Sequence, residues 1–206
     1  MARTKAPDFE AQREQILDLA AAAFAATSYP STSMADLAAA CGTSKARLYH
    51  YYESKEAILF DLLDRYTCQL MQIVSEVEAD SARRGLNSRE TFGHLLRAFL
   101  AEYETSQTRH IALINDVKFL AEEQRDQILK RERDVVAAFT RLLRLAYPDR
   151  VTAENQTALT MTVFGMINWT FTWLKPGGKL SYAQFAEMVV DLLEGGLTPR
   201  GTGITG

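Results

Sequence analysis

Lys45, Arg47, Tyr49 and His50 stand close together in the chain, and each ends in a group that hydrogen-bonds or ion-pairs. On a short helix, Leu48 would plug inward and leave these four side chains for outside contacts. A guanidinium can bond O6 and N7 of guanine side by side in the major groove, which is worth ~1–3 kcal/mol of discrimination. Hydroxyl, imidazole and ammonium groups reach phosphate oxygens, which position a protein on a duplex without reading its sequence. The chemistry implied is recognition of double-stranded DNA rather than the making or breaking of bonds. Lys45 and Arg47 are expected at base edges or nearby phosphates; Thr32, Ser33, Ser44, Tyr49, His50 and Lys55 are expected at phosphate oxygens. Taken alone, Lys45 and Arg47 could equally be a solvated helix face, so the surrounding pattern has to decide.

That pattern is a helix-turn-helix over residues 32–56. Ser33 and Asp36 form a Ser-x-x-Asp start ahead of the apolar run Met34, Leu37, Ala38, Cys41. Gly42 stops this helix, because glycine tolerates the positive φ that a helix end requires. Ser44 or Thr43 caps the next helix, Lys45 to Tyr51, and Ser54 caps a further one beginning at Lys55. Ala38, Gly42 and Leu48 supply the small crossing residue, the tight turn and the aliphatic plug that the unit needs.

The stretch TSMADLAAACGTSKARLYHYYESKEAIL resembles the DNA-binding signature of TetR-type (TetR/AcrR) transcriptional regulators, with Lys-x-x-Leu-Tyr-x-Tyr-Tyr followed by Ser-Lys-Glu. The resemblance is specific over about residues 9–65 and rests on length and helix pattern beyond. It implies that Tyr49, His50 and Lys55 grip the DNA backbone. The position of Arg47 is often a small residue in such proteins, so its base target is left open.

The formal net charge of −3 and the near balance of acids and bases in residues 1–55 predict modest non-specific DNA affinity, a term that scales with the phosphates neutralised. Arg3 and Lys5 could follow a groove as a basic arm or simply be a solvated tail. Cys41 and Cys68 are expected to be reduced, buried thiols. No apolar run approaches the ~20 residues of a membrane span, and MARTKAPDFE lacks a secretory hydrophobic region, so a soluble cytoplasmic protein is expected. Histidine occurs only at 50, 94 and 110, none three residues after a glutamate, which excludes the Glu-x-x-His pairs of helical di-iron proteins. No HExxH, GxSxG, P-loop or Gly-rich dinucleotide motif occurs, so no catalytic residues, metal site or cofactor are expected. His94 reads as a helix-surface partner of Glu90.

With 47% hydrophobic residues and scarcely any period-two alternation, the expected fold is all-α, with about nine helices. The helices are predicted over 9–28, the two of the helix-turn-helix, 55–80, 88–106, 108–119, 122–145, 153–174 and 182–194, with Ile58, Leu62, Leu63, Tyr66, Leu70, Ile73, Val74 and Val77 as the apolar stripe of 55–80. Ser88 is expected to cap the fifth, and Ser181 with Gln184 to box the last. The expected organisation is a DNA-binding domain over 1–54, an effector-binding and dimerisation domain over 55–197, and a disordered tail over 198–206. The helix 153–174 is apolar on more than one face, so one side should pack within the subunit and another against a second chain. In TetR-like proteins the last two long helices form the homodimer, and 153–174 with 181–195 fit that place. A two-fold dimer would meet a palindromic operator with half-sites ~34 Å apart.

Polar groups interrupting apolar helices mark a candidate site for a small hydrophobic effector: Arg97, Tyr103, His110, Asn115, Phe119, Asn168, Trp169 and Trp173. Each has a plainer reading, His110 as a satisfied core histidine and the two tryptophans as core or dimer interface. Residues 110–125, with Asn168-Trp169 and Trp173-x-x-Pro-x-Gly, loosely resemble TetR-type regulators that sense acyl- or aryl-CoA thioesters. That would offer Arg97, Arg109 or Arg133 to CoA phosphates. Alternatives are a multidrug-type regulator with a promiscuous aromatic pocket, an activator or effector-free DNA binder, and a helical small-molecule-binding protein whose helix-turn-helix is vestigial.

Overall fold

The computed structural model describes residues 5–197, with side chains from 9 to 196; Arg3, the Lys5 side chain and the tail 198–206 lie outside the described residues. The helices are α1 (Lys5–Thr27), α2 (Met34–Ala40), α3 (Lys45–Tyr51), α4 (Lys55–Arg84), α5 (Ser88–Thr105), α6 (Gln107–Asp116), α7 (Glu122–Ala146), α8 (Gln156–Ile167), α9 (Thr170–Trp173) and α10 (Tyr182–Leu197). A single 3-10 turn, Val117–Phe119, follows α6. No strand occurs among the described residues, and no helix there is long and apolar enough to cross a membrane.

The chain forms two compact units, residues 1–69 with 106–131 and residues 70–105 with 132–206. In the first, α1 buries Ile16, Leu17, Ala20, Ala21 and Phe24, and α2 and α3 contribute Leu37, Ala38 and Leu48. Every residue of the predicted α4 stripe, from Ile58 through Leu62, Leu63, Tyr66, Leu70, Ile73 and Val74 to Val77, is buried. In the second unit, Phe99 and Phe164 each approach Phe139 to 4.7 Å between ring centroids, and α10 packs on α5.

Several local expectations change. Helix α4 runs on to Arg84, where Asp80 takes Arg83 and Arg84 at 3.0 and 3.1 Å, and Gly85 at φ +67° ends it. Asn87, rather than Ser88, caps α5: its Oδ1 accepts from the amides of Arg89 and Glu90 while Glu90 accepts from the amide of Asn87. Glu90 is therefore not the partner of His94, which lies against Ser81 and Asp80 instead. The predicted helix 153–174 begins only at Gln156, because the Asn155 side chain bridges Thr152 N–H and Arg150 C=O. It then breaks at Asn168-Trp169 into α8 and α9. Both cysteines are free thiols, but neither is fully buried: Cys41 is half-buried and Cys68 is exposed.

Candidate functional site

Ser33 accepts from Asp36 N–H, and Asp36 accepts from the Ser33 amide at 2.8 Å, a reciprocal cap that fixes the start of α2. Gly42 adopts φ +60°, and Gly42 N–H and Thr43 N–H bond Ala39 and Ala38 C=O, which turns the chain into α3. Ser44 Oγ caps α3 by accepting from Arg47 N–H at 3.2 Å. The one buried residue of α3 is Leu48, so Lys45, Arg47, Tyr49 and His50 all face solvent. The Lys45 ammonium stands 5.9 Å from the Tyr49 ring centroid. Phe9 of α1 stacks on Tyr51 at 4.9 Å and meets His50 edge-on, which fastens the beginning of α1 to the end of α3.

Thr32 and Lys55 are turned to internal work, a correction to their expected phosphate role. Thr32 is 2% exposed, and its hydroxyl donates to Ser28 C=O at 2.8 Å. Lys55 donates to the carbonyls of Tyr29 and Thr32 at 2.7 Å each and lies over the Tyr29 ring at 4.3 Å. Burial lowers the Lys55 pKa, with the Asp116 charge acting against that. Together these groups hold the turn between α1 and α2, so the outward polar set is Ser33, Ser44, Lys45, Arg47, Tyr49 and His50.

Behind this face lies a charge network that spacing along the chain does not reveal. Arg13 donates to Asp61 at 2.7 Å and to the Tyr52 hydroxyl at 3.2 Å, and Tyr52 donates to Asp61 at 2.6 Å. Arg65 bonds Asp61, Glu14 and Glu10 within 2.9 Å. Arg109 of α6 bonds Glu14 and Asp18 of α1 at 2.8 and 2.7 Å. Burial alone would raise Glu14 and Asp61; the bonds from Arg109 and Arg65, and from Tyr52 and Arg65, hold them below their ordinary values. Burial, then the Asp61 bond, raises the Tyr52 phenol. The helix-spaced pairs Glu10–Arg13 and Asp61–Arg65 are its visible traces in the sequence.

Of the eight effector candidates, Tyr103 and Asn168 meet: the buried Tyr103 hydroxyl donates to Asn168 Oδ1 at 3.0 Å, at the break between α8 and α9. Burial, then the charges of Glu132 and Glu102, raises the Tyr103 pKa. Glu132, which sequence reasoning passed over, is itself raised by burial. Arg97 is engaged by Glu187 of α10 through two bonds of 2.6 and 2.7 Å. Gly93 leaves room for that guanidinium, since a Cβ there would sit 2.9 Å from Arg97 Nη1. His110 is buried beside the Tyr66 hydroxyl at 3.3 Å. Asn115 and Phe119 line one cavity of the first unit, and Phe119 stacks on Tyr29.

Trp169 and Trp173 are 56% and 50% exposed, which corrects their place as cavity lining. With Met161, Met188 and Leu192 they are, among the described residues, the exposed large apolar side chains of α8, α9, α10 and the break between α8 and α9. Arg109 is committed to Glu14 and Asp18, so it is not a spare cation for CoA phosphate, whereas Arg133 is exposed.

Residues 16–62 match the family described as bacterial regulatory proteins, tetR family, and residues 85–197 match the tetracyclin repressor-like, C-terminal domain. The chain is 27% identical over 207 residues to the HTH-type transcriptional repressor KstR2 of Mycolicibacterium smegmatis, covering 94% of this chain and 96% of that one. A TetR-family transcriptional regulator from Bordetella parapertussis superposes with a TM-score of 0.81 at 35% identity, covering 94% and 97% of the two chains. AibR, solved in complex with isovaleryl coenzyme A and operator DNA, superposes with a TM-score of 0.74 at 26% identity, covering 88% and 97%.

Proposed function

Because the chain belongs to the TetR family of bacterial regulatory proteins, we propose that it is a transcriptional repressor. In this reading it binds a palindromic operator as a homodimer and leaves it when a small hydrophobic effector binds. Residues 1–54 do the reading of DNA, and 55–197 hold the effector and the partner subunit. The observation that carries the DNA reading is α3 itself. Four polar side chains face solvent from a seven-residue helix pinned by Leu48 and capped by Ser44. Arg47 reaches base edges, while Lys45, Ser33, Ser44, Tyr49 and His50 bond phosphates. Thr32 and Lys55 serve by holding the turn that sets α2 in place.

The exposed apolar side chains of Met161, Trp169, Trp173, Met188 and Leu192 support dimerisation through α8, α9 and α10. An acyl- or aryl-CoA effector is supported by the likeness to AibR, whose structure contains isovaleryl coenzyme A. Tyr103 and Asn168 are its polar anchors at the α8–α9 break. Helix α4, continuous from Lys55 to Arg84, is the element that carries the response. Release follows only insofar as the effector binds the DNA-incompetent state more tightly.

The test is an anisotropy titration of the protein on palindromes from its gene's own upstream region, with and without isovaleryl-CoA and free coenzyme A. Salt-dependent binding that Arg47→Ala weakens, and that a thioester reverses while free coenzyme A does not, is the expected result. Unchanged affinity and salt slope in both Arg47→Ala and Tyr49→Phe would remove the site assignment.

A further inference from the structure

Beside the turn between α1 and α2 lies a cavity of about 380 Å³, between Phe24 and Pro30 on one wall and Ile111, Asn115, Asp116 and Phe119 on the other. Asp116 is the unusual member. It is 5% exposed, its side chain does not cap the 3-10 turn that it precedes, and it makes no hydrogen bond or ion pair among the described residues. Its carboxylate oxygens are not sealed from solvent, so the group that lacks a protein partner stays open to one from the recess.

Neighbouring cations make no bond to it. The Lys55 ammonium is held by the carbonyls of Tyr29 and Thr32 and by the Tyr29 ring. Lys118 is exposed, with its ammonium 5.2 Å from the Phe119 centroid and its charge screened by water. What remains is one carboxylate in a recess with two phenyl rings on its walls. That is the chemistry which holds an organic ammonium ion: N–H donors to the carboxylate, apolar body and positive charge against aromatic faces.

We propose that this cavity binds a small primary amine with an aromatic or short alkyl body, its ammonium on Asp116 and its body against Phe24 and Phe119. The site belongs to the first unit and is separate from the Tyr103–Asn168 effector anchors of the second. Since Ser28 and Pro30 also line it, an occupant braces the turn that Lys55 and Thr32 hold.

The experiment uses the full chain with phenethylamine, its neutral counterpart 2-phenylethanol and its anionic counterpart phenylacetate, read by calorimetry and thermal shift. Phenethylamine at ten times its Kd is expected to raise the Tm by about 3–5 °C. The neutral and anionic probes are expected to bind at least ~10-fold more weakly. Asp116→Asn, which removes a buried charge and so keeps the fold, is expected to lose the preference for the amine, and Lys118→Ala to keep or tighten it. Absence of heat with phenethylamine up to ~10 mM, or equal binding by Asp116→Asn, overturns the proposal. Neither result bears on operator binding, which is measured without amines.

Discussion

Removing the Arg47 guanidinium is expected to weaken binding to the cognate palindrome by about 5- to 150-fold per half-site and to relax discrimination at one base pair. Competition titrations against single-substituted palindromes read both effects. Lys45→Ala, which removes a phosphate contact, instead weakens all duplexes alike and lowers the salt slope by about one. These residues were legible because a seven-residue helix with one inward leucine leaves little choice about which side chains face out. Thr32 and Lys55 were not. The carbonyls that engage them belong to Ser28, Tyr29 and Thr32, in a turn whose path no periodicity describes.

Two further residue-scale outcomes follow from burial. Tyr103→Phe and Asn168→Leu are expected to couple by about 0.5–1.5 kcal/mol in a double-mutant cycle read by urea unfolding, since each removes the same bond. Asp116→Asn is expected to raise the Tm at pH 7 and to leave it unchanged near pH 3. Burial raises the folded-state pKa of Asp116 above its ordinary 3.8, with Lys118 and Lys55 pulling the other way. The acid form is thus the one the fold tolerates, and that contribution is lost as the pH rises through the folded-state value.

Among the helices, α1, α4 and α6 are joined by arginines rather than by apolar packing alone. Arg65→Met is expected to destabilise the protein by about 1 kcal/mol at pH 7, because the pairs it makes are partly solvent-screened. The sign with pH is opposite to that for Asp116. Glu14 and Asp61 are held below their ordinary 4.5 and 3.8. The stabilisation is therefore complete above those values and fades as the pH falls through the lower folded-state ones. Denaturation midpoints of parent and variant should converge in acid. Apolar spacing predicted the stripe of α4 residue by residue, yet nothing in it announced partners 48 and 91 positions apart, as Arg13–Asp61 and Asp18–Arg109 are. The α8–α9 break escaped for a different reason. Thr170 and Thr172 bond back to Ile167 and Trp169 carbonyls where Tyr103 holds Asn168, and composition alone reads that stretch as one apolar helix.

For the molecule as a whole, the surplus of apolar faces in 153–174 pointed to a second chain, and Met161, Trp169 and Trp173 do stand exposed. Leu192, 64% exposed on α10, is the position to test. Leu192→Arg is expected to yield a folded monomer in sedimentation velocity, with helical circular dichroism retained and operator affinity down at least ~100-fold, since a charge buried at a two-fold interface meets its own copy. A variant that stays dimeric and binds normally would move the interface elsewhere. The fold class was readable from the lack of strand-like alternation, whereas the pairing of its polar groups depends on tertiary approach.

The chain's two tryptophans, Trp169 and Trp173, lie in and just after the α8–α9 break and are both half open to water. All indole emission therefore originates from α9 and the break before it. Its wavelength and quenching by iodide, with excitation near the red edge of indole absorption, give an optical reading of whether that segment is covered in the unlabelled protein.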